Sequence, residues 1–139
     1  MAAKYNRPTP NPKDLIGSRK VSCSKLPDVA VLWGSMAMGD GAEKYGPFNW
    51  RDFAVQATVY LDAIDRHLKQ WRSGEELADD SLVHHLGHVI GCCAILLDAQ
   101  ATGMLIDDRP KSPAVCELLK RLNAQIAALD AKGRGHKVR

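Results

Sequence analysis

At 139 residues the chain has the length for one domain with a modest core. Hydrophobic residues make up 45% and charged residues 25%, ordinary for a globular protein, and the formal net charge of +3 is too small for a general nucleic-acid binder. No apolar run approaches the ~18 residues of a membrane helix or opens the chain as a signal peptide, and Cys23, Cys92, Cys93 and Cys116 form no C-x-x-C, so they are expected to be reduced thiols of a cytoplasmic protein.

Residues 1–26 read as an irregular N-terminal segment. Pro8, Pro10 and Pro12 oppose a helix and Gly17-Ser18 marks a turn. Two readings stand level here. One is a flexible leader; in the other, Leu15 and Ile16 pack while Lys13, Asp14, Arg19 and Lys20 reach a ligand. A helical domain is expected over residues 27–131. Its first helix follows Pro27-Asp28 and runs to Tyr45, where Gly46-Pro47 ends it. Gly34, Gly39 and Gly41 weaken that helix but let another come close. The second helix is expected to start at Asn49 as cap, with Asp52 in its first turn. Phe53, Ala57, Tyr60, Leu61, Ile64, Leu68 and Trp71 form its apolar stripe, and Gly74 closes it.

The third helix takes Asp79 or Asp80 as cap. Its C-terminal half, through Ile95, Leu96 and Leu97, is apolar nearly all round, so this is expected to be the central element. After the linker of residues 101–111, Ser112 caps a fourth helix with Pro113 at its first position. Val115, Leu118, Leu119, Leu122, Ile126 and Leu129 give it a clear stripe, and Gly133 ends it. Residues 132–139 hold four of the Lys and Arg residues and read as a disordered basic tail. The pattern contains no β-hairpin signal and no glycine-rich phosphate loop. The fold class is all-α, a bundle of four helices.

Two polar pairs interrupt the apolar faces. Asp62 and Asp65 are three apart on the second helix, as are His85 and His88 on the third, so each pair shares a side. The polar link of residues 72–80 would fold the two helices into an antiparallel hairpin and set the pairs opposite each other. The bland alternatives are an Asp62–Arg66 surface pair and satisfied core histidines. Three histidines within five residues, His84, His85 and His88, favour a divalent-metal site, and the aspartates push its ion toward Mg²⁺ or Mn²⁺. Asp40 and Glu43 form another i,i+3 pair, which the axial offset from Asp62 keeps out of that site. At the corner between the first two helices, Lys44, Tyr45, Asn49, Trp50 and Arg51 are either a structural corner or a base-stacking ring with cationic phosphate contacts.

These residues resemble the MazG-like all-α nucleoside triphosphate pyrophosphohydrolases, with Asp62-Ala63-Ile64-Asp65 in place of their ExxE and His85-Leu86-Gly87-His88 in place of their ExxD. A phage branch is closer. Asn11-Pro12-Lys13-Asp14, Gly41-Ala42-Glu43-Lys44-Tyr45-Gly46, Asn49-Trp50-Arg51, Tyr60-Leu61-Asp62-Ala63, Arg66-His67, His85-Leu86-Gly87-His88 and Asp107-Asp108-Arg109-Pro110 are similar in order to the dATP/dGTP diphosphohydrolase domain. In that branch are phage enzymes associated with genomes carrying 2-aminoadenine in place of adenine.

The resemblance implies hydrolysis of a purine deoxynucleoside triphosphate between its α- and β-phosphates, releasing dNMP and pyrophosphate. Asp62, Asp65, His85 and His88 would hold the metal and be catalytic. Lys13, Asp14, Lys20, Lys44, Asn49, Trp50, Arg51, Arg66 and Arg109 would contact substrate, with Trp50 or Tyr45 stacking on the base. It also implies a homo-oligomer, a tetramer, for which the small-residue face of the first helix is suited. No nucleic-acid or membrane partner is expected. The rival readings are a His/Asp phosphohydrolase releasing phosphate or triphosphate, and a non-enzymatic helical interaction module with a structural metal.

Overall fold

The computed structural model describes residues 11–133. Asn11 and Pro12 begin its first element, the six-residue helix α1 (Pro12–Gly17). Asn11 accepts a hydrogen bond from the Lys13 backbone N–H at 2.9 Å, and Pro12 sits at the first helical position, where its missing donor costs nothing. The segment expected to be irregular therefore contains one helical turn and a half. Pro8, Pro10 and most of the basic tail lie outside the described residues.

Helix α2 (Asp28–Tyr45) begins and ends where the sequence places it, and Gly46 takes a φ of 90° to leave it. The second expected helix is not continuous. A single turn, α3 (Asn49–Asp52), stops at extended Phe53, and the chain then makes strand β1 (Val55–Gln56) before helix α4 (Ala57–Arg72). The reason is non-local: β1 pairs in parallel with β2 (Leu105–Ile106), Val55 against Leu105 and Gln56 against Ile106. Helix α5 (His85–Ala101) also starts later than expected. Its cap is His84, whose Nδ1 accepts the Leu86 backbone N–H at 3.0 Å, instead of Asp79 or Asp80. Those aspartates sit in a turn closed by an antiparallel bridge between Leu77 and His84, in which Leu82 adopts a φ of 55°.

Helix α5 is the central element, packed against both α2 and α4. Its approach to α2 depends on small residues. A Cβ on Gly87 would lie 2.7 Å from the Trp33 carbonyl oxygen, and one on Gly34 would lie 2.7 Å from the Ile90 side chain. The close neighbour that the glycines of α2 admit at Gly34 is thus the chain's own α5. At the other end of α5, Trp50, Val55 and Ala99 form a core against which Met38, Tyr60, Ile95, Met104 and Leu105 pack.

The described residues divide into two units, one ending at Ile106 and the other beginning at Asp107. The second unit carries helix α6 (Pro113–Ala131), which has the expected cap and first-turn proline. The protein is all-α, 65% helical, with six helices and one two-stranded sheet among the described residues. Of the four long helices expected, three lie in the first unit and the fourth belongs to the second.

Candidate active site

A cavity of about 350 Å³ opens in the first unit, lined by residues of α2, α3, α4, α5 and the α4–α5 loop. That is enough volume for a small-molecule ligand of modest size. Its floor is Gly91, Cys92 and Ile95 of α5, where the lack of a side chain at Gly91 lets Ala37 and Met38 come close. Burial in this apolar setting pushes the Cys92 thiol up to about 11, which leaves it a protonated, inert wall.

Two carboxylates meet at one lysine on the rim. Lys44 Nζ lies 2.8 Å from Asp40 Oδ2, one turn back on α2, and 3.4 Å from Asp80 Oδ2 in the α4–α5 loop. The hydrogen bond to Asp40 chiefly raises the Lys44 ammonium above its ordinary range. At Asp80 desolvation, the largest single effect, would raise the carboxyl, but the charge and hydrogen bond of Lys44, with smaller help from the backbone and His88, together hold it below its ordinary range. Arg66 lines the same cavity and makes no salt bridge among the described residues. The cavity therefore offers an unneutralised guanidinium beside two carboxylates that share one ammonium.

Histidines form the adjoining wall. His67 of α4 stacks on His88 of α5 with ring centres 4.5 Å apart and planes 12° from parallel, and its Nδ1 lies 2.8 Å from Nδ1 of His85. Burial, then the neighbouring His88 and His85, lowers His67 to about 4. Burial also lowers His88, whose Nε2 lies 2.8 Å from the Ser81 hydroxyl. Both rings are thus neutral at pH 7, as metal binding or proton acceptance requires. His85 is fully buried, with Nε2 at 3.0 Å from Glu75 Oε1.

The four expected metal ligands are not brought together. Asp62 and Asp65 are exposed and do not line the cavity, because Tyr60, Ala63 and His67 occupy the inward face of α4 and a pitch of 100° per residue turns both aspartates away. Of the two histidines, His88 lines the cavity while His85 lies behind His67. Among the described residues no three His, Cys, Asp or Glu side chains converge as a ready-made metal cage. The donor set does suit an ion completed by substrate: Mg²⁺ commonly takes one or two carboxylates, here Asp40 and Asp80, with phosphate oxygens and water filling the rest.

The expected substrate contacts divide similarly. Lys44, Asn49, Trp50 and Arg66 line the cavity, as does Tyr45, which is largely exposed. Trp50 is buried, with Nε1 donating to Asp98 at 2.7 Å, so its ring serves the structural corner and only an edge is left for a ligand. Arg51 is committed too. Its Nε and a terminal nitrogen chelate Asp98 at 2.8 and 2.9 Å, and its guanidinium lies 4.7 Å from the Phe48 ring centre. Lys13, Asp14 and Lys20 are exposed and outside the cavity lining, and Arg109, in the second unit, is paired with Asp107 at 2.6 and 2.8 Å.

Asp40, Asp80 and His67, which line the cavity, and Glu75, bonded to His85 behind it, are not among the site residues expected from spacing. The signal for His67 was present: Tyr60, Ala63 and His67 stand at i, i+3 and i+7 on the face that carries the apolar stripe. Asp40 and Asp80 are forty residues apart, and only the fold pairs them.

The chain is an all-α protein with a mixed-charge cleft lined by four of its helices and the α4–α5 loop. It belongs to the dATP/dGTP diphosphohydrolase N-terminal family, whose model matches residues 10–109, and is in that sense a hydrolase. No curated protein and no solved structure matches it.

Proposed function

We propose that the protein converts dGTP and dATP, with Mg²⁺ or Mn²⁺, to the deoxynucleoside monophosphate and pyrophosphate. Membership of the family supports the substrate class. The observation that carries the reaction is the meeting of Asp40 and Asp80 at Lys44 in the cavity that Arg66 also lines, with no salt bridge of its own among the described residues. A triphosphate entering the cavity would find two cations for its oxygens, and two carboxylates able to share a divalent ion with it. The ion would neutralise the phosphates and make a bound water more acidic.

The chain's own residues then do the rest. Lys44 and Arg66 orient the phosphates, and Asp40 and Asp80 fix where the positive charge sits. The stacked neutral pair His67 and His88 faces the reacting region with acceptor capacity for a proton of the attacking water. Tyr45 and Asn49, which also line the cavity, would contact the base. Catalysis in such an arrangement is mainly positioning and electrostatics.

Exposed apolar side chains on α2, among them Val29, Leu32 and Met36, support assembly into a homo-oligomer, which we propose to be a tetramer. No described helix is long and apolar enough to cross a membrane, in keeping with action in the cytoplasm. The resemblance to phage enzymes supports a role in adjusting the nucleotide pool for a 2-aminoadenine genome. Incubation with each of the four dNTPs and either metal, separating nucleotides and measuring pyrophosphate against phosphate, tests the reaction. Equimolar dGMP or dAMP and pyrophosphate is the expected result. Release of phosphate or triphosphate would replace it with the other hydrolase class.

A further inference from the structure

The described residues contain one buried polar side chain, His85, and it is bonded at both nitrogens. Its placement follows from the loop before α5. Gly74, at a φ of 102°, turns the chain out of α4, and the Glu75 backbone N–H bonds the Gln70 carbonyl at 3.1 Å. The His85 backbone N–H bonds the Glu76 carbonyl at 3.0 Å, so the start of α5 is stitched to the loop that carries Glu75. The Glu75 carboxylate and the His85 imidazole are thereby set 3.0 Å apart.

The bonding pattern dictates where the protons go. A carboxylate only accepts, so His85 must donate from Nε2 to Glu75. A neutral imidazole has a single N–H, which leaves His85 Nδ1 as a lone pair. Across the 2.8 Å contact, His67 must then supply the proton from its own Nδ1. Its other nitrogen, Nε2, is left without a proton. No buried side-chain nitrogen among the described residues lacks a partner, so this unpartnered Nε2 is open to solvent, on a ring that lines the cavity.

We propose that Glu75 and His85 are positioning residues for His67: through two successive hydrogen bonds they hold its proton on Nδ1 and present Nε2 to the cavity as a lone-pair acceptor. Stacking on His88 fixes the plane of the same ring, so its tautomer and its direction are both set. Carboxylate–imidazole pairs of this kind orient a ring and raise its basicity from outside the reacting shell. The kinetic consequence rests on the hydrolase reading above, whereas the tautomer does not.

His84 supplies an internal reference. Its Nδ1 accepts a backbone N–H, which can only donate, and its Nε2 lies 3.0 Å from Glu76 Oε2. A neutral His84 therefore carries its proton on Nε2, the opposite of what His67 should show.

The test is a long-range ¹⁵N–¹H spectrum of the histidine rings in the whole protein at neutral pH, which separates protonated from lone-pair nitrogens. The expected result is Nδ1–H with a bare Nε2 at His67, and Nε2–H with a bare Nδ1 at His84 and His85. A proton on Nε2 of His67, as a doubly protonated His85 would force, overturns the proposal. In Glu75→Gln the amide can donate as well as accept, so the His67 signals should shift toward the other tautomer. If they stay as in wild type, Glu75 has no part in it.

With dGTP, Glu75→Gln should lower kcat about 10- to 100-fold with KM little changed. Wild-type kcat in that variant overturns the catalytic half. Absence of dNTP hydrolysis in the wild type, with the expected spectrum, would instead remove the hydrolase reading and leave the tautomer relay standing.

Discussion

The two ends of α5 carry polar networks of opposite design. At the C-terminal end Asp98 accepts from Trp50 Nε1 and from two nitrogens of Arg51, and the Arg51 guanidinium also covers Phe48. Donors and acceptors answer each other, and the core of Trp50, Val55 and Ala99 lies alongside. At the N-terminal end His67, His88, Asp40, Asp80 and Lys44 are also bonded, yet capacity is left over: His67 Nε2 and Arg66 have no partner among the described residues. A polar network that closes on itself fixes a corner. One with unused capacity toward a cavity can bind something.

The largest difference should appear on removing charge from the open network. Asp40→Asn or Asp80→Asn is expected to lower dGTP turnover by roughly 10²-fold or more, the usual cost of deleting one preorganised electrostatic partner. The melting temperature should hardly move, since the ion pair that each carboxylate makes among the described residues is with the solvent-exposed Lys44. Steady-state kinetics beside thermal unfolding would show it. A variant that melts early and keeps its turnover would mean that this network is structural too.

Asp98→Ala should behave in the opposite way. It leaves the Trp50 N–H and the Arg51 guanidinium without their acceptor, so Tm should drop by several degrees while folded protein keeps near-normal kcat. Losing turnover with unchanged Tm would place the corner in the site after all.

Acid should open the two networks in sequence. His67 titrates at about 4 in the folded protein against an ordinary 6.5, so the unfolded chain binds more protons between those values and stability rises with pH there. The contribution is complete above pH 6.5 and is lost as pH falls toward 4. Asp98 is held at about 2, first by Arg51 and then by Trp50, against 3.8. Its contribution is complete above 3.8 and is lost only below that. Melting temperature against pH should therefore lose slope between 6.5 and 4 in His67→Gln but not in Asp98→Ala. Identical profiles would show that His67 is not the titrating group.

How much of this was readable beforehand differs between the ends as well. Helices α2 and α6 were bounded correctly because their signals are local: Pro27 and Gly46 for one, Ser112-Pro113 and Gly133 for the other. The break between α3 and α4 was hidden because its cause is Leu105, fifty residues beyond Val55. The histidine cluster was visible, and His88 does line the cavity. Its partners were not, because i,i+3 spacing says that two side chains share a face without saying which way the face points. On α4 the aspartates share a face that points away, and the stripe through Tyr60 and His67 turns inward.

That distinction yields the smallest expected effect and a discriminating one. If the cavity is the reacting centre, Asp62→Asn and Asp65→Asn, singly or together, should change dGTP turnover by no more than about twofold, the scale of ordinary surface substitutions. If instead the i,i+3 aspartates hold the ion, each should cost as much as Asp40→Asn and should weaken Mn²⁺ binding in titration calorimetry. Wild-type Mn²⁺ affinity in the Asp62/Asp65 double variant, set against lost affinity in Asp40→Asn, would place the ion at the lysine-bridged pair. The reverse outcome would return it to the outer face of α4 and leave Lys44 with a plain surface ion pair.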